Sequence, residues 1–169
     1  MNEIFTRRSV RQFSDAAVSP EQTEQLLRAA MQSPSAHNQQ PWQFLVVRGK
    51  ENLTRLASCN PYASFLPSAN LAIVLLADKA RMIHTEAYWQ QDLGAATQTL
   101  LLEAAALGLG AVWLGTASEP ARMDFIQKEY ALGEHLVPFS VVAIGHPKET
   151  DANHFVDRYD ASRVRYIGE

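Results

Sequence analysis

Cysteine is nearly absent from this chain, because Cys59 is the only one among 169 residues. A single cysteine excludes an internal disulfide and any zinc site that needs two or four cysteines, and it is typical of a reduced, cytoplasmic compartment. Long apolar runs are missing as well. The longest, residues 104–115, has 12 residues and is too short to span a bilayer, and the N-terminus lacks the apolar stretch of a signal peptide. We therefore predict a cytoplasmic protein with no membrane segment.

The chain also lacks an excess of positive charge, with 15 Lys and Arg against 18 Asp and Glu, a formal net charge of −3. A protein that follows a nucleic-acid backbone needs a basic face, so we expect no nucleic-acid partner. The five histidines have no metal-ligand spacing, and no Walker A, zincin or G-x-S-x-G pattern occurs. Gly108 and Gly110 follow a predicted helix and precede a strand, which indicates a helix end and not a dinucleotide fingerprint. We predict no metal site.

What is present suits a single domain over residues 1–169, because 47% of the residues are hydrophobic and a chain of this length builds one core. The spacing of apolar residues predicts helix, strand, helix, strand, long helix, strand, helix and strand in that order. This order indicates an α/β or α+β domain whose sheet is covered on both faces. The predicted strands are 42–47, 71–77, 111–114 and 139–144, and the predicted helices are 20–33, 51–58, 82–107 and 119–130.

Capping residues mark several of the predicted helix ends. Ser19 begins a capping-box pattern, and the helix after it carries an apolar stripe that includes Met31. Ser118 is a predicted N-cap, and for Asp92 we favour a cap of the long helix over a catalytic acid. Few polar residues lie between Leu93 and Leu107, so this helix is predicted to be buried nearly all round, inside the domain or against a second subunit.

Two polar segments suggest ligand binding. The first, RRSVRQF at residues 7–13, offers several convergent donors for a phosphate or an anionic ring. The second, SPSAHNQQPW at residues 33–42, is a loop fixed by two prolines that leads directly into a buried strand. Taken singly, each polar residue is explained equally well by a turn or a cap. Taken as an ordered set, the two segments favour a binding site.

Together with ALGLGAVWLG and the closing DRYDASRVRY, these segments resemble the FMN-dependent nitroreductase family over essentially the whole chain. The resemblance implies an α+β fold, in which a mixed β-sheet is sandwiched by helices. It also implies an intertwined homodimer with FMN at the subunit interface, in which a tail from about residue 148 wraps the partner subunit.

The same resemblance implies the residues that bind FMN. One subunit contributes contacts to the phosphate and ribityl chain, to the pyrimidine edge of the ring and, through a strand end, to the region near N5; the partner contributes a loop. The contacts to the phosphate and ribityl chain are those of Arg7, Arg8, Ser9 and Arg158, and the contact to the pyrimidine edge is that of Arg11. The strand end near N5 is that of Leu114 and Gly115. The loop that reaches the flavin of the partner subunit carries Pro34, Ser35 and Asn38. The resemblance implies no catalytic side chain, because the chemistry takes place at N5 of FMN.

The activity implied is that of an oxidoreductase that passes electrons from NADH or NADPH through FMN to a small organic acceptor, such as a nitroaromatic or a quinone. The implied mechanism is a ping-pong hydride shuttle, with the protein supplying position and electrostatics. Two alternatives stay open. One is an enal or semialdehyde reductase or a dehalogenase of narrow specificity on the same scaffold, and the other is a non-catalytic FMN-binding or storage protein.

Overall fold

Four β-strands form the centre of the computed structural model, which describes residues 2–168. They are hydrogen-bonded in the order β1-β2-β4-β3, and each adjacent pair is antiparallel. All four predicted strands are confirmed, although β4 begins at Leu136, ahead of the predicted Phe139. The strands are β1 (Trp42–Arg48), β2 (Leu71–Asp78), β3 (Gly110–Gly115) and β4 (Leu136–Gly145).

Helices cover both faces of this sheet. The side chains of β2 alternate between the faces, as a two-residue period requires. Leu71, Ile73 and Leu75 pack in one apolar cluster with α2 and α4, whereas Ala72 and Val74 pack in the other with α3 and α5. This arrangement confirms the predicted α+β fold. The sheet was predicted to be mixed, but its four strands pair only antiparallel, and the parallel component is the isolated bridge between Ser9 and Ala111. The α-helices of the described residues are α1 (Glu3–Thr6), α2 (Pro20–Met31), α3 (Lys50–Ala57), α4 (Trp89–Ala106) and α5 (Pro120–Glu129).

The segment that carries the first arginines runs along the outer edge of β3. Ser9 forms a parallel bridge with Ala111, and the N–H of Val10 donates to the carbonyl of Ala111 at 3.0 Å. This approach requires glycine at position 110, because a Cβ there would lie 2.6 Å from the Val10 side chain. Phe13 then forms an antiparallel bridge with Pro147. The two ends of the chain are thus brought together beside β3.

Two predicted helix starts are wrong. The long helix α4 begins at Trp89, because in the preceding turn the hydroxyl of Thr85 accepts from the N–H of Ala87, and such a local bond competes with helix formation. In α5 the N-cap position is occupied by Glu119, and Ser118 has a left-handed backbone with φ 70°. A serine in that conformation precedes the helix and does not cap it.

Other predicted helix ends are confirmed. Ser19 forms the capping box with Gln22, since each side chain bonds to the backbone of the other residue. Gly108 follows the end of α4 with φ 71°, the left-handed conformation of a glycine C-cap. One core prediction is wrong, because Met31 is 46% exposed at the end of α2.

The tail after residue 148 carries only a short 3-10 turn, Ala161–Arg163, among the residues that the structure describes. Its side chains are almost all exposed, including those of Phe155, Tyr159 and Tyr166. Within residues 2–168, no helix combines the length and the apolar character that crossing a membrane requires.

Candidate functional site

Three arginines from opposite ends of the chain line one pocket of about 280 Å³. Arg7 and Arg8 enter it from the segment that follows α1, and Arg158 enters it from the tail. Phe5 and Phe155 also line it, and their rings contact each other with centroids 6.3 Å apart. We call this cavity the arginine pocket. The structure thus brings basic groups from both chain ends to one pocket.

Within the described part of the chain, the arginine pocket carries an excess of positive charge, because three arginines and one carboxylate, that of Asp157, line it. Burial lowers the pKa of Arg7, and the charges of Arg8 and Arg158 lower it further. None of the three takes part in an ion pair among residues 2–168, whereas Arg163 in the same tail is held by Asp160 at 3.0 Å. Like charges at close range repel each other, so an anion between these arginines would be favoured, although the carboxylate of Asp157 opposes it.

Arg8 differs from its two neighbours, because its guanidinium is occupied by the backbone. Its Nη1 and Nη2 atoms donate to the carbonyls of Arg7 and Phe5, at 2.5 and 2.8 Å, and its buried Nε has no partner among the described residues. Arg8 therefore fastens the turn after α1. Arg7 and Arg158 keep donors that can face a ligand.

A contact that the sequence did not predict holds this region together. The side chain of Asn153 accepts from the N–H of Arg8 at 2.9 Å and donates to the carbonyl of Leu109 at 3.1 Å. Asn153 is separated from Arg8 by 145 positions. No local pattern identifies such a partner, because the bond exists only once the two chain ends meet.

Ser9 and Arg11 follow Arg8 in the chain, but neither of them lines the arginine pocket. Ser9 lines a neighbouring pocket of about 220 Å³, where Glu149 and Asp151 are also present. Among the described residues, no arginine lines that pocket, whereas the arginine pocket has three arginines against the single carboxylate of Asp157, so the arginine pocket is the better anion site. Arg11 is exposed, and its Nη1 donates to the carbonyl of Ser9 at 3.4 Å.

Leu114 and Gly115 end strand β3 at an open edge of the sheet. The backbone N–H and C=O groups of successive strand residues point to alternate edges of the strand. The carbonyl of Ala111 points to the outer edge, where it accepts from Val10. Gly115 lies four residues further along β3, so its backbone groups point to the same outer edge. The carbonyl of Gly115 accepts from Nη1 of Arg122 at 2.9 Å and from Nδ2 of Asn60 at 3.5 Å. A Cβ at Gly115 would meet nothing within 4 Å, which leaves room for a flat ligand against this backbone.

The proline-flanked loop lines a different pocket, of about 430 Å³, against the first turns of α4. Pro34 and Ser35 belong to that pocket, so one subunit does not bring them to the arginine pocket. His37, Asn38 and Gln40 all have positive φ, between 49° and 53°. Strained backbone of this kind persists only where the surroundings fix it, and it is typical of binding loops.

A buried carboxylate fixes this loop. Asp92, which is 5% exposed, accepts from the N–H of Ala36 through Oδ1 at 2.9 Å. Its Oδ2 is buried and has no partner among residues 2–168. The predicted role of Asp92 as a helix cap is wrong, because Tyr88 occupies the N-cap position and Asp92 bonds across to the loop.

The residues present fit FMN, the cofactor that the resemblance implies. The arginine pocket supplies Arg7 and Arg158, which form no ion pair among residues 2–168 and suit a terminal phosphate. The strand end at Gly115 leaves space against its backbone, and this space suits a planar ring, although the Gly115 carbonyl is already bound by Arg122 and Asn60. No metal-binding cluster of three or more side chains occurs in the part of the chain described.

Comparison with known proteins identifies the family. The model of the nitroreductase family matches residues 4–60 and 54–146. A protein of Archaeoglobus fulgidus, provisionally named NADH dehydrogenase/NAD(P)H nitroreductase, is 42% identical over 162 residues, which cover 95% of this chain and 93% of that protein. The chain belongs to the nitroreductase family, as its sequence predicted.

Solved structures agree with this assignment. A protein of Clostridium acetobutylicum, provisionally named NADH oxidase, superposes with a TM-score of 0.94 at 44% identity, covering 99% of both chains. A provisionally named nitroreductase of Desulfovibrio desulfuricans, solved in complex with FMN, has a TM-score of 0.84 at 32% identity, covering 99% of this chain and 96% of that one.

Proposed function

We propose that this protein is an FMN-dependent oxidoreductase that passes electrons from NADH or NADPH to a small organic acceptor, such as a nitroaromatic or a quinone. The observation that carries the proposal is a pair of features at opposite ends of β3, because the arginine pocket near its start suits the phosphate of FMN and the open space at Gly115, its last residue, suits the ring. The names of the relatives, which include a nitroreductase bound to FMN, support it.

In this proposal each predicted site residue binds or orients the cofactor. Arg7 and Arg158 hold the phosphate, and Arg8 fastens the turn after α1 through its bonds to the carbonyls of Arg7 and Phe5. Ser9 contacts the ribityl chain, and Arg11 places a cation near the pyrimidine edge, where it would favour negative charge. The strand end at Leu114 and Gly115 supports the ring. FMN, when bound, supplies the two-electron chemistry, so no side-chain acid or base is required.

The proposal includes a homodimer. Pro34, Ser35 and Asn38 lie on a loop that lines a pocket of its own, so they reach a flavin only if that flavin belongs to the partner subunit. The tail from about residue 148 has an almost fully exposed surface, which suits a segment that wraps the partner. A cytoplasmic location also belongs to the proposal, since the lone cysteine fits a reduced compartment.

Steady-state kinetics test the mechanism that we propose. If one open site serves donor and acceptor in turn, double-reciprocal plots for NADPH at several fixed quinone concentrations are parallel. Intersecting lines would show that both substrates bind at once, which contradicts the shuttle. An absorbance spectrum of the purified protein is the prior check, because a visible flavin band shows the cofactor directly.

A further inference from the structure

Asn153 links three separate parts of the chain through one side-chain amide. Its Oδ1 accepts from the N–H of Arg8 at 2.9 Å, and its Nδ2 donates to the carbonyl of Leu109 at 3.1 Å. Arg8 lies in the arginine segment, Leu109 lies in the turn between α4 and β3, and Asn153 itself lies in the tail. The tail is therefore fixed to the body of the domain at this point.

The link made by Asn153 lies between Arg7 and Arg158, the two arginines that are expected to bind the phosphate. The N–H of Arg8 belongs to the peptide group that joins Arg7 to Arg8, so the bond to Asn153 fixes the backbone that carries Arg7. Arg158 follows Asn153 in the tail and lines the same pocket as Arg7. One amide thus sets the relative position of two arginines that come from opposite ends of the chain.

Electrostatics make such a link necessary. Burial lowers the pKa of Arg7 most, and the charges of Arg8 and then of Arg158 lower it further, so Arg158 repels Arg7. The other contacts of the tail with the N-terminal segment are a ring contact between Phe5 and Phe155 and a backbone bond from Lys148 to Gln12 at 3.0 Å. Neither of them contacts the peptide group between Arg7 and Arg8, as Asn153 does.

We infer that Asn153 is a positioning residue that preorganises Arg7 and Arg158 for a phosphate monoester, the end group of FMN. This inference rests on the proposed function. Preorganised donors bind more tightly because binding then loses less conformational entropy in ordering them. Asn153 does not contact the ligand itself, so its effect should appear only for a ligand that carries the phosphate.

The chain offers a matched control in Asn70. Its side chain forms the same kind of double link, accepting from the N–H of His146 at 3.0 Å and donating to the carbonyl of Ser14 at 3.3 Å. It joins the same two ends of the chain but lines no part of the arginine pocket. Asn70→Ala therefore reports what loss of such a link does to folding alone.

Calorimetric titration of FMN and of riboflavin into the apoproteins tests the inference. For Asn153→Ala we expect FMN affinity to fall by about fivefold or more, the equivalent of one net hydrogen bond, while riboflavin affinity changes by less than about twofold. For Asn70→Ala we expect the ratio of the two affinities to match that of the unaltered protein, even if thermal stability falls. If Asn153→Ala does not fold, Asn153→Ser replaces it, since the shorter hydroxyl side chain cannot form both bonds.

Equal losses for FMN and riboflavin, or an unchanged FMN affinity, would overturn the positioning role. The positioning role would also be overturned if Asn70→Ala changed the ratio of FMN affinity to riboflavin affinity as much as Asn153→Ala does, because the change in ratio would then come from folding. The proposed function fails in a different way. If the unaltered protein bound neither flavin, or bound riboflavin as tightly as FMN, the phosphate site itself would be contradicted and the inference would fall with it.

Discussion

At the scale of single residues, two buried acids make the fold sensitive to alkaline pH. Burial raises the pKa of the Cys59 thiol to about 11 from 9.0, although the charge of Arg122 opposes this. Burial also raises the pKa of Tyr130 to about 12 from 10.0, with a further contribution from Glu129. Both groups are thus neutral in the folded state at pH values where the unfolded chain ionises them.

We predict that the free energy of unfolding falls as pH rises from about 9 to about 11. The unfolded chain releases the Cys59 proton near pH 9.0 and the folded chain only near 11, so the unfolded state binds fewer protons across this window and stability declines. Urea unfolding at pH 8, 9, 10 and 11 measures the effect. Cys59→Ala should flatten the decline.

Tyrosines provide the control for this prediction. Tyr130→Phe removes a buried phenol and should flatten the decline above about pH 10, whereas Tyr62→Phe removes a phenol that is 74% exposed and should leave it unchanged. An identical pH dependence in Cys59→Ala and Tyr130→Phe, compared with the unaltered protein, would show that neither group causes it. A buried Cys59 thiol with a raised pKa also agrees with the interpretation of this residue as structural.

At the scale of elements, the contact between α4 and the proline-flanked loop fixes a strained backbone. Asp92 accepts from the N–H of Ala36, and the residues that follow, His37 and Asn38, have positive φ. Within the loop, the hydroxyl of Ser35 accepts from the N–H of Gln40 at 2.9 Å. The helix thus supports the loop that we expect to reach the partner's flavin.

We predict that Asp92→Ala exposes the amide of Ala36 to exchange. Loss of the acceptor should speed hydrogen exchange at Ala36 by about tenfold, the equivalent of about 1.4 kcal/mol. Asp92→Asn keeps a side-chain oxygen at the same place and should retain most of the protection. Gln91→Ala, an exposed change on the same turn of α4, serves as the control. Equal exchange rates in the Ala and Asn variants of Asp92 would show that the carboxylate does not hold the loop.

The elements differ in how far the sequence predicted them. The strands β1 and β2 follow from apolar runs, and the start of α2 follows from the capping box at Ser19, because these signals are local. The start of α4 was missed because the bond between Thr85 and Ala87 holds a turn where helical spacing continues. The links made by Asp92 and Asn153 were missed because their partners are distant in sequence. The residues that support the candidate site were therefore missed, whereas the ligand-facing residues that the sequence predicted stay a prediction.

At the scale of the whole molecule, a single subunit leaves apolar surface exposed along its tail. Phe155, Tyr159 and Tyr166 are 61%, 71% and 71% exposed, and Ile167 is 91% exposed. An exposed apolar segment of this kind marks an interaction surface. It agrees with a tail that packs on a second subunit.

We predict a homodimer with an interface above ~2,000 Å² in total, the size typical of obligate dimers. Sedimentation of the flavin-loaded protein at low micromolar concentration measures the mass. Tyr166→Asp should weaken the dimer, because it places a charge in an apolar contact, whereas Tyr62→Asp, which alters an exposed residue outside the tail, should not. A stable monomer that retains FMN would contradict the dimer and the two-subunit site together.

Reduction of the flavin by nicotinamide tests the central claim most directly. In an anaerobic stopped-flow experiment, the FMN-loaded protein is mixed with NADH or NADPH and loss of the visible flavin band is followed. The proposed enzyme should be reduced faster than free FMN by at least one of the two donors, with a rate that saturates as the donor concentration rises. If neither donor reduces the bound flavin faster than it reduces free FMN, the protein is an FMN-binding or storage protein, and the oxidoreductase assignment is contradicted.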